Sequence, residues 1–167
     1  NTLPWKFTAG TPNILGTIVS AQALRLLIDL ALTPQYPRFF GTSAPLPREI
    51  VKCAMDRIRQ HTHDLTADAL DSLSRLPGLR IYGPSSAARR TSLVAFNIDS
   101  RDPFDVAERL SHAGVESRAG CHCATLAHRF LNLTPPASCR ISFYLYNTPA
   151  DIDRACDAVA AVSRGRL

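Results

Sequence analysis

The hydrophobic period of this chain changes at Pro77-Gly78, and that change limits the folds open to it. Before it, apolar residues recur at helical spacing through two long stretches. The first carries Ile14, Ile18, Leu24 and Ile28; the second carries Ile50, Ala54, Ile58, Leu65 and Leu73. Beyond the proline and glycine the segments shorten, and brief β-branched runs alternate with turn residues and amphipathic stretches. The expected order is helix, helix, strand, strand, helix, strand, helix, strand, helix. Such an order makes an α/β (α+β) sandwich, with helices covering a mixed or antiparallel sheet of about three or four strands.

Local signals place the ends of these elements. Thr8-Ala9-Gly10-Thr11-Pro12-Asn13 forms a turn, and Asn13 is positioned to cap a helix over residues 14–32. A Gly-Thr turn before a helix N-terminus suits a phosphate as well as a plain cap, and both readings stand. Residues 33–47 hold Pro34, Pro37, Pro45 and Pro47 and form a connector rather than a helix. A second helix is expected from about residue 48 to 76. His61 and His63 on it point to different faces, do not converge on a metal, and are read as exposed. Strands are expected over 79–82, 92–98, 115–118 and 139–145, and helices over 103–113, 124–131 and 149–162.

Charge and cysteine usage narrow the function classes. The formal net charge of +5 comes almost entirely from arginines, and these are scattered, which argues against a nucleic-acid stripe. The five cysteines (Cys53, Cys121, Cys123, Cys139 and Cys156) are odd in number and lack the spacing of a secreted disulfide framework, so free thiols in the cytoplasm are expected. The sequence is read as having no unbroken apolar run long enough for a bilayer span, no signal peptide and hence no membrane partner. It opens on Asn1 without an initiator methionine and reads as a fragment or processed product.

Chemistry concentrates in Arg118-Ala119-Gly120-Cys121-His122-Cys123-Ala124, which brings together a cation, a hinge glycine, paired thiols and an imidazole. A thiol attacks as its thiolate, so neighbours such as Arg118 and His122 bear on its activation.

Three stretches carry a resemblance: residues 5–13, Trp-Lys-Phe-Thr-Ala-Gly-Thr-Pro-Asn; residues 118–124; and residues 139–148, Cys-Arg-Ile-Ser-Phe-Tyr-Leu-Tyr-Asn-Thr. In this order and at these separations they are similar to the C-terminal half of the class V pyridoxal-phosphate enzymes, specifically the group II cysteine desulfurases and selenocysteine lyases. The resemblance covers nearly the whole chain. It implies the small C-terminal domain of the fold-type I pyridoxal-phosphate transferase fold, with a mostly antiparallel sheet. It further implies that Cys123 is the nucleophile, taking sulfur from L-cysteine as a persulfide and leaving L-alanine. Arg140 matches the arginine that pairs with the substrate carboxylate, and Arg118 matches the arginine at the base of the cysteine loop. Thr11 matches a threonine that reaches the cofactor phosphate of the other subunit, which makes a homodimer part of the site. A sulfur-acceptor protein, sulfur metabolism and iron-sulfur cluster assembly belong to the same expectation. Cys121 falls at a variable position and receives no role.

The resemblance also assigns domains: residues 1–32 link from a large cofactor-binding domain and hold the first helix, 33–47 connect, and 48–167 form the small domain bearing the cysteine loop. The family's cofactor-anchoring lysine and most of its phosphate ligands belong to an N-terminal half that these residues do not include. Lys6 and Lys52 match no such position, so this chain by itself is expected to be inactive. The connector is also longer than the family's usual one. A competing reading from the residues is a non-enzymatic metal-binding or persulfide-carrier module using Cys121, His122, Cys123, His128 and Cys139. The spacing lacks the Cys-x-x-Cys pairs of a structural zinc site, and no resident metal is expected.

Overall fold

The computed structural model describes residues 2–3, 5–32 and 36–167; Asn1, Pro4 and the connector's first three positions, 33–35, lie outside it. After a short 3-10 turn at Trp5–Phe7 come helices α1 (Ile14–Leu32) and α2 (Arg48–Ser74). Strands β1 (Leu79–Tyr82) and β2 (Leu93–Ile98) follow, then α3 (Pro103–His112), β3 (Arg118–Gly120), α4 (Thr125–Phe130), β4 (Ser138–Ser142) and α5 (Pro149–Ser163). The element order expected from the sequence is the order observed.

Caps explain why these helices start where they do. The Asn13 side chain accepts the Gly16 N–H at 2.8 Å and opens α1. Asp102 accepts from the Phe104 N–H at 2.7 Å, with Pro103 at the first turn of α3. At α5 the Thr148 hydroxyl accepts the Asp151 N–H while Asp151 accepts the Thr148 N–H, a reciprocal box with Pro149 beside it.

The four strands form one sheet in the order β1-β2-β4-β3, and every neighbouring pair is antiparallel. In β2 burial alternates strictly, with Val94, Phe96 and Ile98 inward, so one face of the sheet meets a core. Phe96, Val106, Leu110, Ile141 and Val159 build that core with Leu73 from α2. Phe96 is fully buried, and truncating it to alanine is worth about 3–5 kcal/mol.

Two compact units divide the chain, residues 1–58 and 59–167, and the division falls within α2. In the first, Ile28 and Leu32 of α1 pack with Phe39 and with Ala54 of α2. The Asp29 carboxylate accepts the N–H groups of Phe39 and Phe40 at 2.7 and 2.9 Å, pinning the connector to α1. Ile14, Leu15, Ile18, Val19 and Leu30 of α1 remain exposed. By length and composition alone α1 is long and apolar enough to cross a membrane, which corrects the expectation that no segment is. Arg25 and Asp29 break the apolar run, but the remaining residues outweigh them.

Other expectations shift. The third strand begins at Arg118 rather than at 115, because the chain is still leaving α3 there: the Val115 N–H donates to the Leu110 carbonyl at 2.9 Å around Gly114. The fourth strand stops at Ser142 rather than at 145, because the Asn147 side chain accepts the Tyr144 N–H at 2.9 Å and folds that segment into a turn. His61 is half-buried rather than exposed, its Nε2 lying 2.9 Å from the Asn147 carbonyl.

Candidate active site

Strand β3 is only three residues long, yet it sets the geometry of everything after it. Its register against β4 places Arg118 opposite Arg140, Ala119 opposite Cys139 and Gly120 opposite Ser138. Residues directly opposite on antiparallel strands share a face, with Cβ atoms about 4.5–5.5 Å apart. Two guanidiniums are thereby held side by side. Arg140 is half-buried and its Nε has no hydrogen-bond partner, while Arg118 is exposed. Like charges so placed repel unless they share an anion, and a carboxylate matches the planar fork.

The chain leaves β3 through Gly120, whose φ of 130° is a conformation that favours glycine. His122 and Cys123 then take φ values of 50° and 60°, unusual for residues with a Cβ. A 2.7 Å hydrogen bond from the Ala124 N–H to the Cys121 carbonyl closes this left-handed turn. Cys123 stands exposed on it and Cys121 is half-buried.

What holds so strained a turn is a set of contacts to Ser138, almost fully buried on β4. His122 Nε2 donates to the Ser138 carbonyl at 2.9 Å. His128, buried on α4, bonds the Ala124 carbonyl through Nδ1 and the Ser138 hydroxyl through Nε2, each at 2.9 Å. A carbonyl only accepts, so His128 carries its proton on Nδ1 and Nε2 receives the serine O–H. By the same logic His122 carries its proton on Nε2. Its Nδ1 is left as a buried lone pair without a partner. Burial pushes the His122 imidazolium below its usual range; the Ser138 carbonyl opposes this, and Arg140, His128 and Arg118 add to it. A neutral His122 supplies no positive charge to a neighbouring thiolate.

The thiols differ sharply. The Cys121 thiol is held below its ordinary range, first by the Thr125 hydroxyl and then by the Cys123 N–H, with a contribution from Arg118. Cys139 is fully buried and Cys156 nearly so. Burial raises both, Cys156 to about 11. They are core residues rather than reagents.

The structure therefore gathers Cys123, Arg118 and Arg140 on β3, its following turn and β4, all within residues 59–167. Thr11 lies in the first unit, exposed just before the cap of α1. Lys6 and Lys52 are exposed in that unit as well, with the Lys6 ammonium 5.5 Å from the Phe7 ring centre. Among the described residues no group of three or more His, Cys, Asp or Glu side chains is placed to hold a metal. Ser138 was missed from sequence, since nothing in its spacing marks it. His128 was noticed only as a metal ligand, whereas it braces the turn.

The family described as Aminotransferase class-V matches residues 31–155. A probable cysteine desulfurase of Halalkalibacterium halodurans is 41% identical over 151 residues, which are 90% of this chain and 30% of that protein. A second, from Halobacterium salinarum, is 37% identical over 166 residues, 99% of this chain and 33% of that one. The apo cysteine desulfurase from Thermococcus onnurineus NA1 superposes with a TM-score of 0.75 at 26% identity, covering 97% of this chain and 34% of that chain. The cysteine desulfurase CsdA from Escherichia coli shares the fold, with a TM-score of 0.66 at 24% identity over the whole of this chain and 35% of that one. The chain thus spans about a third of the length of the relatives it matches.

Proposed function

The chain belongs to the class-V aminotransferase family, and from that membership we propose that it is the C-terminal part of a pyridoxal-phosphate-dependent cysteine desulfurase, with Cys123 as the sulfur acceptor. The observation that carries this reading is the opposed pair Arg118 and Arg140, whose shared face fits an amino-acid carboxylate. The exposed Cys123 stands on the turn that leaves β3, just beyond Arg118.

In this role Arg140 takes the substrate carboxylate as a two-point fork, and Arg118 adds the second cation. The Cys123 thiolate attacks the substrate sulfur; a new S–S bond forms on Cys123 as the substrate C–S bond breaks, leaving a persulfide and, after protonation at carbon, L-alanine. Ser138 and His128 hold the turn so that the thiol stays presented.

The residues present fit part of a cofactor site. The Thr11 hydroxyl, exposed ahead of a helix N-terminus, suits a phosphate oxygen. Pyridoxal phosphate, when bound, supplies the electron sink for carbon–sulfur cleavage. Neither lysine of these residues sits in a built pocket, so the anchoring lysine is assigned to other parts of the longer protein. In this reading the protein is a cytoplasmic homodimer, with Thr11 serving the partner's cofactor and a thiol-bearing protein receiving the sulfur.

The deciding experiment is alanine formation from L-cysteine by the full-length protein and its Cys123→Ser variant. Loss of alanine and of the persulfide together supports the assignment. Unchanged turnover would overturn it.

A further inference from the structure

The Cys121 thiol is the group at the site that the reaction above leaves unused. It lies two residues before Cys123 on a turn closed by the 2.7 Å bond from the Ala124 N–H to the Cys121 carbonyl. Two residues of fully extended chain span at most about 7 Å. A closed turn shortens that span towards the range in which two cysteines can exchange sulfur. Around Cys121 the donors converge: the Thr125 hydroxyl from the first turn of α4, the Cys123 N–H and the field of Arg118. These favour a thiolate at a half-buried position, whereas Cys123 stands exposed. The same closed turn thus carries Cys121 two residues from the thiol that takes the substrate's sulfur.

We propose that Cys121 is a second station for the transferred sulfur. Its thiolate attacks the terminal sulfur of the Cys123 persulfide; an S–S bond forms on Cys121, the bond between that sulfur and Cys123 Sγ breaks, and Cys123 leaves as a thiolate. The proton stays on the migrating sulfur. No oxidant or reductant is consumed, since one persulfide and one thiolate become another persulfide and another thiolate. Cys123 is returned ready to attack a second substrate, while the first sulfur waits at the less exposed position. This step rests on the assignment of Cys123 as the sulfur acceptor.

The test uses the full-length holoenzyme with L-cysteine and no acceptor, quenched in acid with an alkylating reagent. Cleavage after Arg118 and Arg129 releases both thiols in one peptide, and fragmentation at His122 reports which of them carries the extra sulfur. The expected result is added sulfur on Cys121 as well as Cys123, with an alanine burst of roughly two per site that falls to roughly one in Cys121→Ser. Thr125→Val should lower the share on Cys121 severalfold while Cys123 is still charged. A share unchanged by Thr125→Val would mean exchange after unfolding, and would overturn the relay. So would sulfur confined to Cys123 with a burst of one. A different pattern, in which neither thiol is charged and Cys123→Ser forms alanine normally, would instead overturn the acceptor assignment itself.

Discussion

Arg118 and Arg140 face each other across β3 and β4, and neither is in an ion pair with a carboxylate among the described residues. A fold that sets two guanidiniums on one face of adjacent strands stores repulsion that an anion relieves. Replacing Arg140 by lysine keeps the charge and loses the fork. In the full-length protein kcat/KM for L-cysteine is expected to fall about 10- to 100-fold, from the ~1.5–3 kcal/mol of a charged hydrogen bond. Steady-state kinetics would check this, and a change under about twofold would remove Arg140 from substrate binding.

Ser138 joins two histidines to β4 through separate atoms, its carbonyl to His122 and its hydroxyl to His128. Ser138→Ala keeps the first bond and leaves the buried His128 Nε2 unpaired. The expected cost is about 1–3 kcal/mol, the penalty of an unsatisfied buried acceptor. Thermal unfolding should fall by roughly 2–12 °C. The persulfide yield should drop as well, because the turn bearing Cys123 loses its brace.

How far the sequence reached is visible in these same residues. Helix and strand order followed from period and punctuation, while the roles of Cys123, Arg118 and Arg140 are expectations that rest on motif context. The register that makes the arginines a pair was not legible, since it depends on where β3 begins. That point is fixed by the Val115 N–H still bonding back into α3. Ser138 and His128 were equally hidden: a buried serine and a buried histidine acquire roles only once the strand and helix carrying them meet. Cys121 received no role because its position is variable, and the donors around it, Thr125 and the Cys123 N–H, are brought to it only by the turn itself.

Reactivity should rank the thiols by environment. Alkylation at neutral pH is expected to label Cys121 and the exposed Cys123 quickly, and Cys139 and Cys156 only on unfolding. Burial holds the Cys156 thiol at about 11, so even without a steric barrier its thiolate fraction at pH 7 is negligible. Peptide-resolved mass spectrometry across a pH series would measure this, and Thr125→Val should move the Cys121 profile to higher pH. Fast labelling of Cys156 in the folded protein would contradict its place in the core.

Stability near neutral pH should carry the signature of His122. Its folded pKa lies below the ordinary imidazole value of 6.5, chiefly through burial. Between the folded value and 6.5 the unfolded chain binds more protons than the folded one, so stability rises with pH there. The contribution is complete above about pH 6.5 and is lost as the pH falls through the folded value. Protonation would also put a third positive charge beside Arg118 and Arg140, which adds to the same trend. The carboxylates of Asp105 and Asp151 are held below 3.8, by Arg109 and by the Thr148 N–H respectively, and so lie outside this window. Urea unfolding from about pH 7 to pH 5 should therefore show a midpoint that declines with acidity. His122→Gln cannot take up that proton, and its amide can still donate to the Ser138 carbonyl. The variant should flatten the decline, and an identical slope in both proteins would place the titrating group elsewhere.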